Sequence, residues 1–541
     1  MTKKPNILMI MADQLAAQAL SVYGNGICQT PNLERLASQG VTFTNNYSNN
    51  PLCVPSRASM LTGKLSPEIK VYDNANEIAS SLPTMAHYMR ALGYQTFLSG
   101  KMHFIGPDQL HGFEERLTTD VYPADFQWIA DWSAGPAFVP SGTALNGVVE
   151  AGPCIRTMQE DYDDDVEFQA RRKIFDLARQ EDGKPFFGVI SFTSPHTPFN
   201  VTQKFWDLYD HEQIGLPDVP AIPFAELDYF SKALFFAHGR HRHTVTENHL
   251  RNARHAYFAM ISYLDEKIGN ILEQLDDTGL LDNTVVMFTS DHGEMLGERG
   301  MWFKQCFWEW SARVPLVISV PGGRRNEQVA VNTSLVDLLP TLIGLAGGAA
   351  GLPEEMVHGL AGTDLGAFLT GDDEDWPDCV IADYLAIGPC VPCRMVRKGR
   401  YKYIFTHGKP DLLFDLVDDP QELNNLALDA KHEPALDELK QVAMKDYDPV
   451  GLMEEIIISQ RYRRFVATVG GRQPSWDYIA YQGDAERYVR RDGVDGTKSR
   501  LRLPRVATIP PDMPDLAADI IDRMMAGELD FDQMKDAWNA G

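Results

Sequence analysis

Short, uninterrupted apolar runs recur through the first two-thirds of the chain, separated by longer amphipathic segments. Strands that are covered on both faces are continuously apolar, so this alternation predicts an α/β fold with a mostly parallel sheet flanked by helices. Apolar residues three or four positions apart predict one long helix from about Leu250 to Leu275. The predicted strands are Asn6–Met11, Thr96–Ser99, Phe186–Phe192, Thr284–Ser290 and Leu316–Val320.

The 541 residues predict more than one domain. An acidic, proline-containing stretch from Gly371 to Pro377 suggests that the α/β domain covers residues 1–370. Beyond it, Arg394–Val396 and Tyr401–Phe405 flank Lys398-Gly399-Arg400, which is the pattern of a β-hairpin. Residues 371–470 are therefore predicted to form a smaller antiparallel-sheet domain.

The last part of the chain, residues 471–541, is polar and lacks a periodic apolar pattern. It is predicted to form an extended arm, and its segment from Arg490 to Arg505 is basic within an acidic protein. Either this segment is a solvated tail or it is held by an acidic surface, such as one on another subunit. Because a tail of this length has no core of its own, we expect a homo-oligomer, either a dimer or a tetramer.

Composition excludes several classes of partner. The 49 basic and 75 acidic residues give a net charge of −26, which repels nucleic acid and anionic lipid. Neither a signal peptide pattern nor a bilayer-spanning apolar stretch is present, so a cytoplasmic location is expected. The seven scattered cysteines form no disulfide framework. Cys390 and Cys393 have the spacing of half a zinc site without a second pair, and reduced thiols are expected there.

Polar residues follow four of the predicted strands directly. Open α/β sheets build their sites at the carboxyl ends of strands, so these side chains are expected to meet. Any one of them alone is more often a helix cap or a satisfied buried group. The residues are Asp13 and Gln14, Lys101 and His103, His196, and Asp291 and His292.

Four of these side chains suit a metal ion. Asp13, Asp291 and Gln14 offer hard oxygen atoms and His292 offers a nitrogen. Such a set favours one divalent ion, with Ca²⁺ expected first and Mg²⁺, or Mn²⁺ if the histidine ligates, as alternatives. The histidine-rich run from His238 to His243 is expected to be a solvated loop.

The sharpest motif is Leu52-Cys53-Val54-Pro55-Ser56-Arg57, which leads into a short helix ending at Gly63. A thiol at a helix N-terminus near an arginine is acidified and lies close to bound anions. The residues alone leave two interpretations of Cys53, a thiolate nucleophile or a buried structural cysteine.

Cys53-x-Pro55-x-Arg57 resembles the motif of the formylglycine-dependent sulfatases, members of the alkaline phosphatase superfamily. The run from Gly93 to His103 resembles the second signature of that family, and the segment from Leu413 to Ala427 is similar to its C-terminal pattern. The resemblance implies the alkaline-phosphatase-like fold and hydrolysis of small sulfate monoesters by S–O cleavage.

The resemblance also implies roles for the residues. Cys53 is oxidised by a formylglycine-generating enzyme, and the hydrated aldehyde, held at the metal ion, supplies the nucleophile and later expels sulfate. Arg57 steadies the diol and His103 is the base of the collapse step. Lys101, His196 and Lys304 bind the sulfate oxygens and the leaving group.

One departure from many sulfatases is Asp13-Gln14 in place of two adjacent aspartates, which resembles the choline-sulfatase and phosphonate-monoester-hydrolase branch. The run Val71–Asn74 is similar to choline sulfatases, and Asn74 is expected at the substrate. Trp128 lies where choline sulfatases place a cage tryptophan, although Trp128 and Trp132 could equally be core residues. Ile387 stands where that branch has a glutamate, so an aryl or neutral alkyl sulfate is expected rather than choline sulfate.

Two other functions remain open from the sequence. The first is a phosphonate monoester or phosphodiester hydrolase on the same scaffold, although that branch lacks the Lys101-x-His103 pair. The second, less expected, is a catalytically inactive metal-binding protein.

Overall fold

The computed structural model describes residues 4–138, 140, 145–371, 375–469, 476–488, 509–513 and 516–534. The strands in this part of the chain form a large sheet, a small antiparallel sheet and a two-stranded parallel ribbon. They are β1 Asn6–Ala12, β2 Val41–Tyr47, β3 Gln95–Gly100, β4 Glu115–Arg116, β5 Gly152–Cys154, β6 Phe186–Ser191, β7 Asn200–Thr202, β8 Thr284–Ser290, β9 Leu316–Ser319, β10 Glu327–Ser334, β11 Cys379–Tyr384, β12 Cys393–Lys398, β13 Tyr401–Thr406 and β14 Leu412–Asp415.

The helices surround the large sheet and continue into the C-terminal region. They are α1 Pro31–Ser38, α2 Cys53–Thr62, α3 Ser66–Ile69, α4 Met85–Ala91, α5 Asn146–Val149, α6 Met158–Ala178, α7 Gln203–Trp206, α8 Tyr229–Ala237, α9 Glu247–Asp277, α10 Glu309–Ala312, α11 Leu338–Leu345, α12 Glu354–His358, α13 Gly366–Thr370, α14 Glu433–Met444, α15 Pro449–Val469, α16 Asp484–Arg487 and α17 Ala518–Met525. The predicted long helix is confirmed as α9, which begins after Thr246, whose side chain accepts a hydrogen bond from the His249 N–H.

The large sheet has eight strands in the order β10-β2-β9-β8-β1-β6-β3-β4. Its pairs are parallel except that β9 runs antiparallel to both β8 and β2. The five predicted strands are confirmed as β1, β3, β6, β8 and β9, and the α/β prediction is confirmed with them. Because β1 lies between β6 and β8, the carboxyl ends of these three strands meet at the centre of one sheet edge.

Helices cover both faces of this sheet. Leu8 and Ile10 of β1 pack into a core with α6 and α9, while Ile7 and Met9 pack into a second core with α2, α4 and α11. This alternation follows from the two-residue period of a strand, and it explains why β1 is apolar throughout. Within the described residues, no helix combines the length and apolar content that crossing a bilayer requires.

The small sheet is antiparallel, in the order β11-β12-β13-β14, and α14 packs against it. The predicted hairpin is confirmed as β12 and β13, joined through Gly399 and Arg400. In the segment expected to be an extended arm, the described residues contain α16 and α17, and α17 packs against α8. The basic segment from Arg490 to Arg505 lies outside the described residues, so the arm and the oligomer remain predictions.

The histidine-rich run is not the solvated loop that the sequence suggested, and that expectation was wrong. His238 and His241 are buried, and the ring of His238 is hydrogen-bonded to the Gln305 side chain. The reason is the preceding helix α8, which is apolar and carries the run into the protein interior. The expectation of reduced thiols at Cys390 and Cys393 is confirmed, since both are free cysteines.

Candidate active site

The side chains that follow β1, β3, β6 and β8 converge at one edge of the sheet. Asp13, Lys101, Asp291 and His292 are fully buried there. Lys101 directly follows Gly100, whose φ of 104° and close approach to the Ser191 carbonyl leave no space for a side chain. This glycine is therefore what permits β3 to deliver the lysine beside β6.

Helix α2 brings the cysteine motif to the same edge. Cys53 is its first residue, and its sulfur lies 3.2 Å from Nε2 of His292. Asn74 accepts a hydrogen bond from the Val54 N–H through Oδ1 at 3.1 Å, so it holds the first turn of this helix. The helix ends at Gly63 in the left-handed conformation, as predicted.

Asp13, Cys53, Asp291 and His292 form a group that fits a divalent metal ion. Their potential ligand atoms all lie within 4.8 Å of one another. Oδ1 of Asp13 is buried without a hydrogen-bond partner, which leaves an acceptor for a ligand. The ring of His292 lies 3.1 Å from the Gly293 carbonyl through Nδ1, which must carry the hydrogen, so the Nε2 lone pair faces the group. The donor set therefore fits the metal ion implied by the sequence.

Gln14 is adjacent to this group but its side chain is held by two neighbours. Its amide donates to Glu294 at 2.5 Å and its carbonyl oxygen accepts from Lys304. The backbone N–H of Gln14 donates to Asp291 at 3.2 Å, and its φ of 66° is left-handed. Such strained backbone conformations concentrate at functional sites.

Three cationic side chains surround the carboxylates. The guanidinium of Arg57 donates to Asp291 at 2.8 Å, the ammonium of Lys101 pairs with Asp13, and Lys304 lies beside Gln14. Burial alone would raise the pKa of Asp13, but Lys101 and other cations hold it below its ordinary value. The site thus combines buried negative ligand atoms with buried positive donors, as binding of both a cation and an oxyanion requires.

The same cations act on the thiol. Burial alone would raise the pKa of Cys53, but the charges of Lys101 and Lys304 hold that pKa well below its ordinary value. The structure therefore gives an electropositive environment at position 53, which favours an anionic group there.

His196 is a neutral neighbour of Lys304. Its Nδ1 lies 2.7 Å from the Thr197 carbonyl, so this nitrogen carries the hydrogen and Nε2 accepts from the Lys304 ammonium at 2.8 Å. Burial and the charge of Lys304 lower the pKa of His196 to about 3. His196 thus accepts from the Lys304 ammonium and holds it in place, which leaves Lys304 as the donor of the pair.

His103 lies within an aromatic wall next to position 53. Its ring stacks on Tyr122 with centroids 4.5 Å apart and meets the edge of Trp128 at 5.7 Å. Neither ring nitrogen makes a hydrogen bond of ordinary geometry, although the ring lies beside the Cys53 thiol. Burial lowers the pKa of His103, so the ring is a neutral base with nitrogens available to a ligand.

The two other predicted substrate contacts lie near this wall. Trp128 is half-buried and packs on Tyr122 at 5.1 Å. Ile387 is almost fully buried, and the neighbouring Ala386 carbonyl accepts a hydrogen bond from the Trp132 indole at 2.7 Å. The segment that carries Ile387 therefore packs against the loop that carries Trp128, and Trp132 is a core residue.

Sequence reasoning missed three residues that shape the site. Glu294 is fully buried and accepts hydrogen bonds from the backbone N–H groups of Leu296 and Phe303. Asp120 accepts from the backbone N–H groups of both Met102 and His103, which fixes the loop after β3. Tyr122 forms the centre of the aromatic wall. The only available signal was that the runs Glu114–Asp120 and Asp291–Gly300, which contain Asp120 and Glu294, also resemble choline sulfatases.

Comparison with known proteins gives the same assignment. Residues 5–349 match the family model described as Sulfatase, and residues 297–447 match the one described as N-sulphoglucosamine sulphohydrolase, C-terminal. The chain is 41% identical to a choline-sulfatase of Rhizobium meliloti (strain 1021), over 93% of this chain and 99% of that protein. It is 27% identical to an arylsulfatase of Clostridium perfringens (strain 13 / Type A), over 82% of this chain and 95% of that protein.

Among solved structures, the phosphonate monoester hydrolase of Agrobacterium radiobacter superposes with a TM-score of 0.64 and 26% identity, covering 85% of this chain and 96% of that one. The fold and site define a hydrolase with the alkaline-phosphatase-like architecture. The chain belongs to the sulfatase family, and it is a sulfuric ester hydrolase.

Proposed function

We propose that the protein hydrolyses sulfate monoesters by S–O cleavage, with a formylglycine made from Cys53 as the nucleophile-bearing residue. The observation that carries the proposal is the position of Cys53, the first residue of α2, inside a buried group with Asp13, Asp291 and His292. An unmodified cysteine would be the only sulfur donor among these ligands, whereas an oxygen at this position completes a set suited to a hard cation.

Asp13, Asp291 and His292, with position 53 and the Gln14 side chain beside them, would hold one divalent ion, and Ca²⁺ suits this oxygen-rich set best. Such an ion supplies Lewis-acid stabilisation and a lowered pKa for a coordinated hydroxyl. A hydrated aldehyde at position 53 supplies one hydroxyl for attack and a second through which the aldehyde is restored.

The cations of the chain bind and orient the sulfuryl group. Lys101, paired with Asp13, and Lys304, bonded to Gln14, both act electrostatically on position 53, and their positive charges would stabilise the charge that develops on sulfate oxygens. Arg57 donates to Asp291 and to the Lys101 carbonyl, so it fixes both the metal ligand and the loop after β3. It acts as a positioning residue and keeps Nη2 unpaired toward the site.

Two histidines are placed for proton transfer. His103 is neutral, lies beside position 53 and has unpaired ring nitrogens, so it suits the base that removes a proton from a hydroxyl there. The Lys304 ammonium, bonded to neutral His196, can donate a proton or hydrogen bond to the departing alcohol oxygen. The division of roles follows from their partners, because both ring nitrogens of His103 are unpaired whereas Nε2 of His196 already accepts from Lys304.

For the alcohol part of the substrate we propose a neutral aryl or alkyl group. The aromatic wall of Tyr122 and Trp128 offers flat apolar contacts, and Ile387 supplies no charge where a carboxylate would attract a quaternary ammonium. Choline sulfate is the competing substrate, because the relative from Rhizobium meliloti is a choline-sulfatase.

Two measurements test the proposal. Peptide mass spectrometry of the purified protein should show that the peptide containing position 53 is lighter than its unmodified form, by the mass difference between a –CH2SH and a –CHO side chain. The same peptide should react with a hydrazide probe. Sulfate release should then be compared for 4-nitrophenyl sulfate, octyl sulfate, choline sulfate and phenyl phenylphosphonate. An unmodified thiol in active protein contradicts the formylglycine proposal, and preference for the phosphonate supports the activity of the relative from Agrobacterium radiobacter instead.

We also propose a homo-oligomer. Helix α15 exposes a stripe of apolar side chains at helical spacing, and exposed apolar stripes of this kind mark contact surfaces. Size-exclusion chromatography with light scattering tests this, and a monomer would contradict it. The stripe consists of Ile458, Tyr462, Phe465 and Val469.

A further inference from the structure

A cavity of about 330 Å³ lies outside the sulfatase site, between α8, the start of α9 and the turn from Gly297 to Trp302. None of the described residues that line it is acidic, and none belongs to the group around Cys53. Its volume is in the range of small-molecule sites. Most of the wall is apolar, formed chiefly by Leu145, Leu216, Pro217, Pro220, Leu250 and Trp302.

Arg240 is the one arginine that lines this cavity among the described residues. Its guanidinium lies over the ring of Phe235 at 4.8 Å, and its Nη1 is buried without a hydrogen-bond partner. Gly300 makes room for it, since a Cβ there would approach Nη2 within 2.9 Å. Burial lowers the pKa of Arg240 to about 9, so the group stays charged at neutral pH.

Three buried arginines in the described part of the chain, Arg57, Arg394 and Arg463, have carboxylate partners. Each is neutralised at hydrogen-bond distance, by Asp291 for Arg57, by Asp383 for Arg394 and by Asp73 for Arg463. A buried charge without such a partner costs stability. Arg240 is half-buried, lines the cavity and has no ion pair with the described residues, and a bound anion would supply this missing partner.

We propose that this cavity binds a small organic anion, with a carboxylate or sulfate head paired to Arg240 and an apolar body against Trp302 and its neighbours. The apolar wall requires the body and the unpartnered guanidinium requires the anionic head. An inorganic anion would leave the wall in contact with water, and a neutral hydrocarbon would leave the charge unpaired. The site is separate from the one that the sulfatase proposal uses.

The probe is sodium octanoate, titrated calorimetrically into the full-length protein, with octan-1-ol and octyltrimethylammonium as matched neutral and cationic probes. Octanoate should bind at least about tenfold more tightly than octan-1-ol, the usual worth of a hydrogen bond to a charged group. Arg240→Met should remove that preference, while Arg325→Met, which deletes an exposed arginine, should leave it unchanged.

Two further variants locate the effect. Arg240→Met should unfold at the same temperature as the wild type or higher, because it removes an unpaired buried charge, so lost binding would not reflect lost fold. Leu216→Trp keeps the charge but occupies part of the cavity, and it should weaken octanoate binding as well. Equal binding of octanoate to the wild type and Arg240→Met, equal binding of octan-1-ol and octanoate, or absence of octanoate binding overturns the proposal. Cys53→Ala should bind octanoate normally, which separates this result from the sulfatase proposal.

Discussion

The protein buries two clusters of opposite charges, and they differ in how completely the charges satisfy one another. In the cluster between α10 and the small sheet, the ammonium of Lys402 contacts the Phe307 carbonyl at 2.8 Å and both Glu309 and Glu422 at 2.7 Å. All three oxygens thus lie within 2.8 Å of the ammonium, although Oε1 of Glu309 is held by the ion pair without a hydrogen bond of ordinary geometry. At the sulfatase site, Oδ1 of Asp13 and Nη2 of Arg57 are buried with no partner.

The difference separates a structural cluster from a site. Buried polar groups in folded proteins nearly always find partners, so unpaired ones mark places where a ligand supplies the missing contact. In the Lys402 cluster the contacts join α10 to β13 and the loop after β14, and each carboxylate lies against the lysine ammonium. At the sheet edge, a metal ion and a sulfate group would complete the unpaired donors and acceptors.

The largest effect is expected at Cys53. Cys53→Ala should lower sulfate release at least about a thousandfold, because it removes the residue that provides the nucleophile. The matched control is Cys28→Ala, which deletes another buried thiol in the α/β core. That variant should keep its turnover per folded molecule. Activity of Cys53→Ala near the wild-type level, measured with 4-nitrophenyl sulfate, would refute the nucleophile assignment.

At Lys402 we expect a large effect on stability rather than on activity. Lys402→Met should reduce the free energy of unfolding by about 3–5 kcal/mol, because it leaves Glu309 and Glu422 buried without their cation. KM for the folded fraction should not change, since none of these residues belongs to the group around Cys53. Denaturant unfolding and steady-state kinetics measure the two quantities. The control is Lys398→Met, which removes a lysine from an exposed ion pair with Glu438. A raised KM with unchanged stability would contradict this prediction, because the Lys402 cluster would then contribute to substrate binding rather than to the fold.

Local sequence patterns predicted the charged residues of the site but not the residues that line it. Asp13, Lys101, His196 and Asp291 were predicted because each follows an apolar strand, and parallel strands share one edge. Strands β2 and β10 were missed because their sequences, VTFTNNY and EQVAVNTS, mix polar with apolar residues and so contain no continuous apolar run.

Burial of polar residues was harder to predict. Glu294 reaches Gln14 across 280 positions of the chain, and nothing near either residue signals the contact. His238 looks polar in sequence and is buried because α8 carries it inward. Arg240 has no motif at all, and only the cavity around it shows that its charge lacks a partner.

Metal removal should have a smaller effect that again separates the two clusters. Chelation should lower the free energy of unfolding of the wild type by about 2–3 kcal/mol, the stabilisation from a ligand present at roughly a hundredfold excess over its dissociation constant. The fold should survive, because Lys101 and Arg57 already neutralise Asp13 and Asp291. Asp13→Asn should show no shift on chelation, whereas Lys402→Met should show the full shift. A shift in Asp13→Asn, measured by thermal unfolding with and without chelator, would place the metal ion elsewhere.

The smallest expected effect concerns the alcohol pocket. Ile387→Glu should raise kcat/KM for choline sulfate relative to 4-nitrophenyl sulfate by about tenfold, since a carboxylate beside the aromatic wall would pair with the quaternary ammonium. Ile387→Gln is the matched control, because it has the same shape without the charge, and it should leave the ratio nearly unchanged. An equal shift in both variants would show that the polarity of residue 387, rather than its charge, determines the substrate preference. No shift in either variant would mean that residue 387 lies too far from the substrate for its side chain to interact with the charge of the alcohol group. The residue that selects the alcohol would then lie on the Trp128 side of the wall.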